Sequence, residues 1–209
     1  MKHLLLTLAF AFTSLTLAAQ SFEGKIVYQN TYKSKSPELS DEQLNLMMGT
    51  EQSWYLKGGD YKSETNGMLM LWQLYLGRDN RLYSKFANTD MVVWNDGAAN
   101  ADEVIKTELR KGAVEILGYT CDELVLTCKS GVQKYYFSSQ LAVDTKLFQN
   151  HLYGNWFAYL TKANAVPLKI VIESPQFALE SVATLVQPMK LSAKLFALPA
   201  NVPTMKSPY

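Results

Sequence analysis

The sequence predicts a mainly β fold of the α+β class, in which one large curved antiparallel sheet packs against helices on one face. Turn-forming residues recur at short intervals, and the segments between them are rich in β-branched and aromatic residues. Helical spacing is confined to a few places. Short connections favour antiparallel pairing, because parallel strands need long crossovers. We expect about ten or eleven strands and two or three helices, with a closed barrel as the alternative.

The first half of the chain supplies one strand, one short helix and a series of hairpins. The first strand is expected at residues 22–32, FEGKIVYQNTY. Ser40 and Gln43 form a capping box that begins a helix ending at Gly49. Hairpin turns follow at Gly58-Gly59 and at residues 77–80. Strands continue in the segments MVVWN, VIKTEL, AVEILG, TCDELVLTC and VQKYYF.

The second half begins with helical segments and returns to strands. LAVDTKLFQN and NWFAYLTKAN have helical spacing, as between Trp156 and Leu160. Strand character returns in VPLKIVIES and FALESVATLVQ, and prolines then divide a tail with at most one short strand. No linker or repeat interrupts the chain, which predicts a single domain over residues 21–209.

Residues 1–20 have the organisation of a secretory signal peptide. Lys2 precedes an apolar run over residues 4–17, and small residues follow. Cleavage is expected near Ala19 or Gln20. The run is shorter than the roughly 20 residues that a transmembrane anchor needs. We therefore expect an exported protein, periplasmic or secreted, without a transmembrane anchor; an apolar N-terminal strand or helix of the fold is the alternative.

The charge balance argues against a nucleic-acid partner. The chain has 20 Lys and Arg residues against 19 Asp and Glu residues, and loss of Lys2 with the leader leaves no net charge. A neutral chain without a basic stretch offers no electrostatic attraction for nucleic acid or an anionic membrane surface.

Cys121 and Cys128, the two cysteines of the chain, lie in the predicted strand TCDELVLTC. In a straight strand they would point to opposite faces and lie about 23 Å apart, at about 3.3 Å per residue. A disulfide needs Cα atoms within about 7 Å. We expect two unbridged, buried thiols. The alternative is a disulfide, which an oxidising compartment and an even cysteine count favour but which requires a turn at Asp122-Glu123.

Residues with catalytic chemistry are sparse in the mature chain. His151 is its one histidine, and no motif for a nucleophile or a phosphate-binding loop accompanies it. Adjacent acids occur at Asp41/Glu42, Asp102/Glu103 and Asp122/Glu123, each with an ordinary structural role in a helix start, a turn or a strand. We therefore expect no enzyme, no catalytic residue, no metal site and no cofactor.

The strand MLMLWQLYL is apolar on both faces and is the best candidate for a binding surface. Strict alternation places Gln73 and Tyr75 on an outer, partly wetted face and the other face toward the helices. Covered on both sides, the strand is either an ordinary central strand or the floor of a cavity for a lipid or acyl chain. The candidate apolar lining is a floor of Met68, Met70 and Trp72 with a cover of Trp156 and Phe157.

Four short motifs carry a resemblance to a known family. They are the opening GKIVY at residues 24–28, ILGYTC at 116–121, Pro167-Leu168-Lys169, and FALP at 196–199. In this order they resemble a family of exported bacterial proteins with a domain of unknown function, which looks related to the outer-membrane lipoprotein carrier and receptor proteins (LolA- and LolB-like). The resemblance implies a half-open β-barrel with helices against its concave face. It also implies that Cys121 is a packing residue of a motif, whereas Cys128 is additional.

These observations predict a non-enzymatic exported protein of the bacterial envelope. The carrier proteins hold acyl chains between sheet and helices, so the resemblance implies a lipid, acyl chain or other apolar ligand in that place. The alternative is a structural or protein-interaction module with a solid core and another envelope protein as its partner. A third hypothesis is a hydrolase that uses acidic residues.

Overall fold

The computed structural model describes residues 21–208, which form one large open mixed sheet of twelve strands and two α-helices. The predicted signal peptide, residues 1–20, lies outside the described residues. The strands are β1 (Gly24–Ser34), β2 (Glu51–Lys57), β3 (Asp60–Thr65), β4 (Met70–Leu76), β5 (Arg81–Phe86), β6 (Val92–Asp96), β7 (Val104–Ile116), β8 (Tyr119–Cys128), β9 (Gly131–Ala142), β10 (Ala165–Glu173), β11 (Phe177–Pro188) and β12 (Thr204–Lys206). The α-helices are α1 (Asp41–Met48) and α2 (Trp156–Ala163), and 3-10 turns cover Thr145–Phe148, Tyr153–Asn155 and Ala193–Phe196.

The strand order is β12-β6-β5-β4-β3-β2-β1-β11-β10-β9-β8-β7, so β12 and β7 form the two edges. Among the described strands, β12 alone pairs in parallel, with β6; every other neighbouring pair is antiparallel. The mainly β prediction is confirmed. The strand count is higher than the expected ten or eleven, and the tail segment Thr204–Lys206 makes the sheet mixed rather than purely antiparallel.

Local signals in the sequence set the boundaries of several elements. Ser40 caps α1: its side chain accepts a hydrogen bond from the Gln43 backbone, and the Gln43 side chain accepts one from the Ser40 backbone. The helix ends at Gly49, whose φ of 92° suits glycine. The turn at Gly58-Gly59 joins β2 to β3, as predicted. Helical spacing in LAVDTKLFQN was less informative, because its first residues extend β9 and the remainder forms a single 3-10 turn.

One face of the sheet, called here the helix face, packs against α2 and the turn at Thr145–Phe148. Ile26, Trp54 and Tyr75 from the strands join Phe148 and Leu160 from the helical segments in one buried cluster. Burying side chains of this size contributes about 1.5–3 kcal/mol each. This cluster is the main hydrophobic core and fixes α2 on the sheet.

The opposite face of β4–β6, called here the tail face, is covered by the C-terminal segment. Leu74 and Leu76 of β4, with Tyr83 of β5, form a second buried cluster with Leu191 and Phe196 of that segment. β4 is therefore apolar on both faces because both faces are covered, as its sequence predicts. Among residues 21–208, no helix combines the length and apolar character needed to span a membrane.

Candidate ligand-binding pocket

A pocket of about 570 Å³ lies on the helix face of β4, β5 and β6, toward one end of these strands. Its walls are mainly apolar, with a few polar side chains among them. Pockets that bind small molecules have this size and composition, at roughly 300–1,000 Å³. The lining residues are Met70, Gln73, Ser84, Phe86, Val93, Asn95, Ala99, Ala101, Tyr153, Ser207 and Pro208.

The floor of the pocket is a row of side chains across three strands. Gln73 on β4 lies opposite Ser84 on β5, and Ser84 lies opposite Val93 on β6. Leu82, two residues before Ser84, belongs to the helix-face cluster, so Ser84 and then Phe86 point to the same face. The Gln73 side-chain amide donates a hydrogen bond of 3.2 Å to the Ser84 hydroxyl. The row combines small and polar groups where the neighbouring core has large rings.

A β-bulge at Leu71 brings Met70 into the pocket. Met70 lies opposite Phe86 and Trp72 opposite Lys85, so Leu71 is an extra residue in the β4–β5 ladder. The extra residue shifts the alternation by one position. Met70 therefore lies with Phe86 at the pocket, whereas Trp72 packs with the tail-face cluster. The expectation that Met70 and Trp72 share one face is wrong.

Met68 and Trp72 both lie away from the pocket. Met68 precedes β4, and 64% of its surface is exposed. Trp72 is half-buried, and the Lys62 ammonium lies 5.9 Å from the centre of its ring, within cation–π range. The three methionine and tryptophan side chains that were expected to form one floor are thus in three different environments.

Tyr75 faces the helical segments, although strict alternation predicted an outer, partly wetted position. Its ring stacks on His151 at 3.9 Å and on Phe148 at 6.2 Å between ring centres, and 1% of its surface is exposed. Both faces of β4 are apolar, so the pattern could not tell which of them meets α2. Trp72, Leu74 and Leu76, the even-numbered residues after the bulge, pack against the C-terminal segment instead.

Trp156 and Phe157 do not cover the pocket. Trp156 is half-buried over other aromatic rings, 6.3 Å from Trp54 and 5.9 Å from Tyr61 between ring centres. Phe157 is half-buried, and neither residue is among those that line the pocket. The helical region contributes Tyr153 to the pocket wall instead.

The loop that contributes Ala99 and Ala101 is held against the helical region. The backbone N–H groups of Leu152 and Tyr153 both donate to the Gly97 carbonyl, at 2.7 and 3.0 Å. The Asn100 side-chain amide donates to the carbonyl oxygen of the buried Asn155 side chain at 2.8 Å. These bonds fix the outer wall of the pocket from two sides.

His151 is a core residue beside the pocket region and does not line it. Burial lowers its pKa to about 3, so the imidazole is neutral. Its Nε2 lies 2.8 Å from the Tyr61 hydroxyl, while its Nδ1 has no hydrogen-bond partner among the described residues. With 1% of its surface exposed, the ring is inaccessible to a substrate.

The acids and cysteines have structural surroundings. Asp41 pairs with Lys33, Asp122 pairs with Lys111, and Asp102 accepts a hydrogen bond from the Ser130 hydroxyl. The two cysteines are unbridged and buried, as predicted. Both belong to the helix-face cluster, however, so the expectation that they point to opposite faces is wrong; the β7–β8 ladder is irregular beside Cys121. Within residues 21–208, no group of three or more His, Cys, Asp or Glu side chains could hold a metal ion.

Several pocket residues were missed by sequence reasoning because they come from separate elements. The loop residues Ala99 and Ala101 carry no sequence signal of their own. Ser84 could have been identified from the sequence. In RLYSKF it alternates with Leu82 and Phe86, so it is a polar residue on a face that its apolar neighbours mark as buried.

Comparison with known proteins finds structural similarity at low sequence identity. No protein-family model matches this sequence, and no curated protein is significantly similar to it. An uncharacterized conserved protein from Thermus thermophilus aligns over 88% of this chain and 91% of its own, with 10% identity and a TM-score of 0.46. PNGF-II aligns over 90% of this chain and 32% of its own, with 13% identity and a TM-score of 0.48, so this chain spans about a third of its length. At these scores neither similarity supports a conclusion about this chain.

Proposed function

We propose that this protein is a non-enzymatic, exported binding protein of the bacterial envelope that holds an acyl chain or another apolar ligand. The observation that carries the proposal is the pocket beside Met70, an open pocket of about 570 Å³ with mainly apolar walls. A fatty acyl chain would contact Met70, Phe86 and Val93. Its polar end would meet Gln73 or Ser84, the side chains that could fix its orientation.

The sequence resemblance to lipoprotein carrier and receptor proteins supports the same class of ligand. Under this proposal the sheet is a half-open barrel whose concave side holds the helices, and the signal peptide over residues 1–20 directs export. The pocket proposed here lies beside Tyr153, not beneath Trp156 and Phe157. Of the five residues in the expected lining, only Met70 lines this pocket; Met68, Trp72, Trp156 and Phe157 do not.

The surroundings of His151 support a role other than catalysis. The histidine is buried, and its lowered pKa keeps it neutral at physiological pH. A general base near neutral pH needs a pKa close to the working pH and access to the substrate. His151 lacks both.

A specific observation favours the alternative, a protein-interaction module with a solid core. The space between α2 and the sheet, where a carrier would hold its ligand, is filled by aromatic rings. Tyr61 stacks on Tyr75 at 5.3 Å, and Trp156 contacts Tyr61 and Tyr159 at 5.9 and 5.4 Å between ring centres. If the pocket beside Met70 binds no ligand, this packing makes a module with an envelope protein partner the better description.

Titration with a fluorescent fatty-acid probe tests the proposal on the mature chain, residues 21–209. Saturable binding is expected. Ala101→Trp places a large side chain in the pocket from an exposed loop position, so we expect it to weaken binding by about tenfold or more. Ala98→Trp is the matched control, because Ala98 is exposed in the same loop and does not line the pocket.

Thermal unfolding of both variants shows whether the fold is intact. Loss of probe binding in Ala101→Trp, with binding retained in Ala98→Trp, supports the pocket as the site. No saturable binding by the wild type, or equal binding by the two variants, contradicts the proposal.

A further inference from the structure

The edge strand β7 is long and exposed, and it forms the edge of the sheet opposite to β12 in the strand order. It spans 13 residues, whereas the other edge strand, β12, spans three. No described strand pairs with its outer side. An edge of this length presents a row of backbone N–H and C=O groups that can pair with another strand.

One apolar side chain on β7 continues the core row of the sheet without cover. Leu109 lies opposite Leu124, which is fully buried in the helix-face cluster, yet 47% of the Leu109 surface is exposed. A strand added beyond β7 would place a side chain beside Leu109 on the same face. A further strand would therefore supply the neighbouring side chain that Leu109 lacks on this face.

We propose that two copies of the chain associate through their β7 strands, in antiparallel pairing around a two-fold axis at Leu109. The sheet then continues from one chain into the other. In such an interface each residue meets its symmetry partner, so the sequence of β7 must be complementary to itself.

Backbone geometry restricts the registers that are available. The backbone groups of successive residues point alternately toward β8 and outward, so two identical antiparallel edges can pair only with the axis on a residue. The longest regular stretch of β7 is Lys106–Arg110, which pairs residue by residue with β8. An axis at Lys106, Glu108 or Arg110 would place a charged residue opposite its own copy, which is destabilising.

An axis at Leu109 satisfies both charge and apolar burial. Glu108 then faces Arg110 of the second copy, and this pair occurs twice, while the two Leu109 side chains cover each other. The Arg110 side chain is 70% exposed, and its bond to Glu123 at 3.1 Å leaves further N–H donors for a second carboxylate. An axis at Thr107 would instead pair Glu108 with Lys106, to which it already bonds within its own chain at 3.1 Å, and would leave Arg110 without a carboxylate from the second copy.

A charge-reversal experiment tests both the interface and its register. In Glu108→Lys the introduced ammonium would face Arg110 twice, and in Arg110→Glu two acids would face each other twice. Sedimentation analysis of the wild-type mature chain should show reversible dimers that salt weakens. Each variant alone should dimerise roughly tenfold more weakly or worse. A mixture of the two variants restores both opposite-charge pairs, so it should form heterodimers with about the wild-type affinity.

Matched variants separate this effect from net charge and from folding. Glu38→Lys changes the net charge as Glu108→Lys does, at an exposed position on the loop before α1, and should leave dimerisation unchanged. Arg110→Glu also loses its bond to Glu123; if it fails to fold, Leu109→Lys provides a second test, because it places two like charges at the axis. A wild-type monomer, dimerisation that persists in Glu108→Lys or Leu109→Lys, or no heterodimers in a mixture of folded variants would each overturn the proposal.

Discussion

Tyr75 and Met70 lie on the same face of β4 but differ in how the space above them is filled. Above Tyr75, the rings of Phe148 and His151 stack on the strand and leave it 1% exposed. Above Met70 lie a loop with small residues and the half-exposed Tyr153, and a pocket of about 570 Å³ remains. Large rings from the helical segments close the core where they reach the sheet, and the pocket begins where they end.

The difference also follows from the strands beside β4. Tyr75 lies opposite Tyr61 on β3, so aromatic rings meet side by side. Gln73, two residues nearer to the pocket, lies opposite Ser84. Small polar side chains fill less volume than rings do, so the same spacing between layers leaves room for a ligand at this end of the strand.

The largest expected effect contrasts Tyr75→Ala with Phe86→Ala. Removing the Tyr75 ring from the stacked cluster should lower the free energy of unfolding by about 3–5 kcal/mol. Phe86 is half-buried at the pocket wall, so its truncation should cost about 1 kcal/mol. Urea unfolding of both variants measures the difference. Equal losses would mean that the two ends of β4 are equally well packed.

The second prediction concerns the stability of the fold at acidic pH. The unfolded chain, with a histidine pKa near 6.5, binds a proton more readily than the folded chain, in which the pKa of His151 is about 3. Stability is therefore complete above about pH 6.5 and declines as the pH falls toward 3, by at most about 1.4 kcal/mol per pH unit.

His151→Phe should remove this dependence while keeping a ring in the stack. Urea unfolding between about pH 6.5 and 5 isolates the histidine, because carboxyl groups with lowered pKa values, such as Glu23, respond below this window. An unchanged slope in the variant would show that the buried imidazole does not titrate on unfolding as described.

The smallest expected effect is the addition of volume at the pocket. Met70→Trp should change the free energy of unfolding by less than about 0.5 kcal/mol, because the pocket has room for the ring. Leu160→Trp, in the filled space under α2, should overpack the core at a cost of about 1–3 kcal/mol. Thermal and urea unfolding measure both. A loss of that size in Met70→Trp would indicate that the pocket is not open in solution.

Elements with local signals were predictable from the sequence, and the reason is that short-range interactions define them. The capping box at Ser40 and Gln43 fixed the start of α1, and the Gly58-Gly59 turn fixed the β2–β3 hairpin. The strand Thr204–Lys206 was not predictable in its pairing, because three residues carry no register signal and their partner β6 is distant in sequence.

The candidate site was predictable only in part, because its geometry depends on contacts between elements. Met70 was expected in the lining and lies at the pocket. The bulge at Leu71, however, turns the residues after it to the opposite face from the one that strict alternation predicts. Gln73 is the one polar residue of this strand, so no alternation of polar and apolar residues marks such a shift. The true outer wall, Ala99 and Ala101, is held in place by the bond between Asn100 and Asn155, which are far apart in the chain.

Photolabelling with a fatty acid that carries a diazirine, followed by peptide mapping, tests the central claim most directly. It reports both whether an apolar ligand binds and where. We expect saturable labelling of peptides that contain Met70, Phe86 or Tyr153, competed by unlabelled fatty acid and lost in Ala101→Trp. Labelling concentrated on α2 and β2 near Trp156 and Trp54, or no competable labelling at all, would contradict the contrast between a solid core and an open pocket.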